Sequence, residues 1–143
     1  MASVIYNSFK LKTIDNSTKI DLSVGANTIK CALVTSSYTP NIDSHDFFDD
    51  VTNEVSGTGY TAGGATLTTS VSQDNTDDEA VFDATDVTWA NSTITARGAV
   101  IYKSTGVAST SPLICYIDFG ANKTSDGGTF QITFDAEGIL NFN

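Results

Sequence analysis

The sequence predicts an all-β protein of one domain spanning residues 1–143, an antiparallel β-sandwich or a jelly-roll or barrel of about eight to ten strands, with one short helix near 44–54. Three observations predict it. Short runs rich in Thr, Val, Ile, Tyr and Phe alternate with clusters of Gly, Asn, Asp and Ser, the pattern of strands joined by turns. Several of those runs alternate apolar and polar residues with period two, as a strand does with one face on a core. Only two prolines, Pro40 and Pro112, interrupt the chain, and no repeat, low-complexity tract or Pro-rich linker divides it.

Taken along the chain, "SVIYNSF" (3–9) and "IDLSV" (20–24) read as weak strands, and "TIKCALVTS" (28–36), apolar at most positions, reads as an interior one. "SHDFFDDVTNEV" (44–55) breaks the pattern. Ser44 stands at an N-cap position, acids fill the next turn, and Phe47, Phe48 and Val51 are spaced as a helical stripe that would plug one open end of the sandwich. "ATLTTSVS" (65–72) and "AVFDATDVTWA" (80–90) follow as strands, the second with a bend or bulge near Asp83–Asp86. In "STITARGAVIYKS" (92–104), Ile94, Ala96, Gly98, Val100 and Tyr102 fall on one face, with Thr93, Thr95, Arg97 and Lys103 on the other. "PLICYIDF" (112–119) reads as a second interior strand, "TFQITF" (129–134) alternates Phe130, Ile132 and Phe134 with Gln131 and Thr133, and "ILNFN" closes the chain.

Charge narrows the partners. Seven basic residues against seventeen acidic ones give a formal charge of −10, a poor surface for nucleic acid, whose binding rests on Lys and Arg neutralising phosphates. Anionic membrane is disfavoured on the same ground, and no stretch reaches the roughly 18 apolar residues of a membrane span. The N-terminus lacks the charged and apolar regions of a secretory signal, so cytoplasmic synthesis is the expectation. Cys31 and Cys115 each sit in an apolar run without a C-x-x-C, the setting of a small buried hydrophobe rather than of a disulfide, a metal ligand or a nucleophile.

The motif that draws attention is "VSGTGYTAGGATL" (55–67), in which Gly57, Gly59 and Ala62 satisfy G-x-G-x-x-G/A. A dinucleotide fingerprint needs a helix to start at its third position so that backbone N–H groups meet the pyrophosphate. Here Thr- and Val-rich strand sequence follows, and no Lys completes a phosphate loop. The stretch therefore reads as a glycine-shaped turn with Tyr60 packed into it. His45, the sole histidine, lies among acids beside Ser44 with no nucleophile elbow in the chain, and reads as a solvated or capping residue. The acidic loops "DSHDFFDD" (43–50) and "DNTDDE" (74–79) offer oxygen ligands for Ca²⁺ without EF-hand spacing and read as solvated loops. No carboxylate pair is singled out for glycoside hydrolysis, and one Trp with five Tyr is thin for a sugar-stacking cleft. No catalytic, cofactor-binding or metal-binding residue is assigned, no cofactor is expected, and the chain is read as a non-enzyme.

The blocks "MASVIYNSFK", "VTSSYTPNIDSHDFFDDVTNEVSGTGYTAGGATL", "VTWANSTITARGAVIYK", "SPLICYIDFG" and "AEGILN" resemble a family of small virion structural proteins of tailed bacteriophages, similar to capsid decoration (cement) proteins. The resemblance implies a non-enzymatic homotrimer made in the host bacterial cytoplasm, binding the major capsid protein on the exterior of the assembled head and stabilising it. Alternatives in the same class are a tail or head-fibre component or a receptor-binding domain; a carbohydrate-binding module is a further one. The terminal "MASVIYN" and the 43–54 segment are the candidate contact segments, with an unpaired edge strand as another route.

Overall fold

The computed structural model describes residues 2–15 and 18–143. Two antiparallel sheets build the fold, with one α-helix among the described residues, consistent with an all-β sandwich. In chain order the elements are β1 (Val4–Ile5), α1 (Asn7–Asp15), β2 (Ile29–Val34), a 3₁₀ turn (Phe48–Asp50), β3 (Ala65–Thr66), β4 (Thr69–Asp74), β5 (Glu79–Ala84), β6 (Val87–Lys103), a second 3₁₀ turn (Ala108–Thr110), β7 (Leu113–Ile132) and β8 (Leu140–Phe142). The large sheet has the order β1-β7-β6-β2-β3 and the small one β4-β5-β8.

The two interior runs behave as their composition requires. β2 lies between β6 and β3, and the first half of β7 lies between β1 and β6, so both bury side chains on both faces. Cys31, Leu33, Ala99, Ile101 and Cys115 point to a core shared with Phe82, Ala84 and Leu140 of the small sheet. Ala32, Val34, Val100, Leu113 and Tyr116 point the other way, into a second cluster closed by Tyr6, Tyr38, Phe48 and Val51. The chain crosses between sheets three times, the last between β7 and β8. It leaves β3 through buried Leu67, and it returns at Thr85–Asp86, within the bend expected near Asp83–Asp86.

Several expectations are corrected, among them 65–72 as one strand, because Ala65–Thr66 is β3 of the large sheet and the chain re-enters pairing at Thr69 as β4 of the small one. The single apolar face of 94–102 is divided, because the ladder slips between Ala96 and Gly98: Ala96 pairs with Lys123 but Gly98 with Asp118. Ile94 and Ala96 therefore face the first core, whereas Val100 and Tyr102 face the second. Arg97 occupies the slip, and its Nε donates to Asp118 Oδ1 at 2.8 Å. Residues 129–132 are the far end of the same 20-residue β7 as 113–119, bent through Gly120 and Gly127, and 92–104 joins 87–90 in β6.

The helix lies at Asn7–Asp15 rather than near 44–54. After β1 the Tyr6 carbonyl accepts the N–H groups of Phe9 and Lys10, closing a first turn that carries Phe9 into the first core while Tyr6 stays in the second. Within 44–54 only Phe48–Asp50 forms a 3₁₀ turn: Asp50 Oδ2 accepts the N–H groups of Asp46 and Phe47, so local carboxylate capping replaces helical bonding. Phe48 and Val51 cover the second face of the large sheet instead of plugging an end. The segment 20–24 is not a strand; Asp21 Oδ1 accepts from the Ser23 N–H and hydroxyl and turns the chain, leaving Ile20 and Leu22 against the core.

Tyr116 lies across Gly98, where an added Cβ would meet the Tyr116 ring at 2.5 Å and the Ile117 carbonyl at 2.6 Å. Gly98→Ala is expected to destabilise the protein by about 1–3 kcal/mol, read as a lower urea midpoint at constant slope. Tyr116→Phe, which removes a buried hydroxyl lacking a hydrogen-bond partner, should leave the midpoint unchanged or raise it.

Candidate functional site

The stretch 55–64 forms a loop on the outer edge of β2. That edge is paired at Lys30 and Cys31 by β3 and at Val34 by Glu54, which leaves the Leu33 N–H between the two short pairings. The Tyr60 hydroxyl accepts this N–H at 2.9 Å and donates to Glu54 Oε1 at 2.6 Å. Glu54 Oε1 also accepts the Gly63 N–H at 2.6 Å, and Tyr102 donates to the Gly63 carbonyl at 2.7 Å. Gly64, at φ +75°, lies so close to the Cys31 carbonyl and Ala32 Cα that any side chain would collide with β2. Gly57 and Gly59 rest against Thr93 and Ser92 of β6, where the Thr93 N–H donates to the Thr58 carbonyl. The motif is thus tied into the sheet by the chain itself: β3 follows it, not a helix, its Gly63 N–H and carbonyl are taken by Glu54 and Tyr102, and its Thr58 carbonyl by the Thr93 N–H.

His45 ends a buried chain of phenols. The Asn41 N–H points at His45 Nδ1, which makes that nitrogen an acceptor; Tyr38 then donates to it at 3.0 Å and accepts from Tyr6 at 2.8 Å. Histidine is here a terminus for tyrosine hydroxyls, with Ser44 held in the turn by Asn41 Oδ1. Of the candidate contact segments, 2–7 places β1 on β7 and Tyr6 in the core, with Ala2 exposed. In 43–54, Phe48 stacks on Tyr102 at 4.0 Å and Lys12 lies over the Phe47 ring.

The acids of 43–50 serve local turns. Burial works against the Asp50 charge, but the N–H groups of Asp46 and Phe47 hold its carboxyl below the usual range. In 74–79, Asp74 Oδ1 caps Thr76 and Asp77, while Asp77 and Glu79 lie within 4.8 Å of Glu137. Glu137 arrives from the turn before β8, a convergence no local spacing announces. Cys31 and Cys115 are both free and buried, and each is opposite Ile101 on one face of the sheet, two strands apart. Strands lie about 4.8 Å apart, so this separation exceeds the reach of a disulfide.

The chain matches no protein-family model, no curated protein and no solved structure.

Tyr60→Phe would leave the Leu33 N–H without its acceptor. A loss of about 1–3 kcal/mol is expected in urea unfolding. All five tyrosines are held above the phenol range, chiefly by burial, Tyr102 to about 12. With folded values above the unfolded value of about 10, this contribution is complete below pH 10 and is lost as pH rises toward 12. Tyrosinate absorbance should therefore stay flat past pH 10 and then rise together with loss of ellipticity; ordinary titration in the folded protein would contradict it. Burial likewise pushes Cys115 up to about 12 and Cys31 up. Neither thiol should react with an aromatic disulfide reagent at pH 8 until denaturant is added.

Proposed function

We propose that this chain is a structural protein of a bacteriophage particle, a decoration protein that binds the outside of the assembled head and stabilises it. The observation that carries this reading is where the reactive groups are used. Glu54, Tyr60, Tyr102, His45 and both thiols are engaged in or buried within the sheet framework, so the chain's chemistry goes into rigidity. The family resemblance of the sequence blocks adds the partner, the major capsid protein, and the capsid exterior. A net charge of −10 suits docking onto a basic protein surface.

Such a protein acts by linkage. A partner that binds the mature shell better than its disassembled parts contributes about 2.7 kcal/mol per site at a hundredfold excess over Kd, and the term repeats across the shell. Association between copies would add effective concentration to each attachment.

Purified protein added to mature, expanded heads should sediment with them at near-stoichiometric copies per local threefold position and raise their disruption temperature. Binding confined to a tail tip or a vertex would favour the fibre or receptor-binding reading, and absence of binding to heads would overturn the decoration role.

A further inference from the structure

Short, bent or lysine-bearing edges keep a sheet from pairing with other chains. Here β1 and β3 have two residues each and β8 has three, while β7 beyond its pairing with β1 is bent through Gly120 and Gly127 and carries Lys123. β4 has none of these guards. Its six residues pair with β5 in unbroken register and include no Lys, Pro or Gly, and 70–73 are exposed.

The ladder fixes which backbone groups this edge offers. The Thr85 N–H donates to the Thr68 carbonyl at 3.0 Å, which makes Thr68 and Thr85 a hydrogen-bonded pair. Such pairs alternate in an antiparallel ladder, so Ser70, Ser72 and Asp74 direct their N–H and C=O groups to β5, whereas those of Thr69, Val71 and Gln73 point away from it. Thr69 is buried. Among the described residues, no hydrogen bond reaches the outward backbone groups of Val71 and Gln73.

Charge sets the occupant. The chain holds no Lys or Arg between Lys30 and Arg97, nor any after Lys123, so the small sheet and its turn carry no cation. Register puts Ser70, Ser72 and Asp74 on the solvent face together with Glu79 and Asp83. On the other face Val71 stands opposite buried Phe82 yet is 52% exposed. A strand laid against β4 therefore meets acids on one face and an uncovered valine on the other. A second β4 would bring the same acids to the contact, and like charges across strands are destabilising.

We infer that β4 takes an extended segment of a cationic partner by strand addition. The backbone of Val71 and Gln73 extends the ladder, Lys or Arg on the segment's solvent face meets Asp74 and Asp83, and an apolar residue on its other face covers Val71. The partner is set by charge and register alone, so this inference goes beyond the head-binding reading, and failure to bind heads leaves it standing.

The test titrates the isotope-labelled full chain with a capped peptide of alternating Lys and Val. The Val71 and Gln73 amides should shift and gain protection from hydrogen exchange. The same peptide with Glu in place of Lys should not bind, and added salt should weaken the Lys peptide. Val71→Lys places a guard on the edge, and Gln73→Pro removes an outward donor that β5 does not use. Each should keep the parent's circular dichroism and weaken the peptide by about tenfold or more. Val71→Lys carries the test if Gln73→Pro loses the fold. Absence of binding, binding that leaves the Val71 and Gln73 amides unmoved, equal binding of the Glu peptide, or a folded variant that binds as the parent does would each overturn the inference. Self-association of the parent through these amides would overturn it too, by giving the edge to a second copy.

Discussion

Central strands that are apolar on both faces impose the constraint on which the rest of the structure depends. β2 and the first half of β7 carry large side chains up and down, so the large sheet needs cover on each side. The small sheet supplies one cover through Phe82, Ala84 and Leu140; the other is made by chain without regular structure, Tyr38 through Val51, together with Tyr6. Loop backbone at a buried face must satisfy its polar groups locally, and that is where Asn41, Asp50 and His45 are used. The same demand acts sideways at the edge of β2, where Tyr60 and Glu54 complete a ladder that β3 only half covers.

The strand-and-turn composition made the fold class and the two interior strands legible, because 29–34 and 113–116 have no polar face to give to solvent. The bend near Asp83–Asp86 was legible too, since polar residues interrupt an otherwise apolar run. Period two could not reveal the slip at Arg97. Gly98 and Val100 look like members of one face until the ladder loses register, and the cause is Tyr116 and Asp118 on the partner strand. Nor could it reveal that 44–54 would be capped by its own carboxylate, because Ser44, Phe47, Phe48 and Val51 fit a helix as well as they fit a turn.

The glycine loop shows the same division. Its failure as a phosphate cradle was readable from the Thr-rich sequel and the missing Lys. Its actual work was not, because Leu33 and Glu54, the groups that Tyr60 joins, lie outside the motif and meet it only through the pairing of β2. The convergence of Asp77, Glu79 and Glu137 was hidden for the same reason: two neighbours in a loop and a third brought in by the turn before β8.

The placement of the two cysteines has a consequence for the protein's history after synthesis. They share a face of the sheet with Ile101 between them, and the sheet holds them apart. Passing from a reducing interior to an oxidising medium therefore gives this fold no internal crosslink to form and none to lose. Its shape and stability are set by packing and hydrogen bonds in either medium, so the protein carries no redox memory of where it folded.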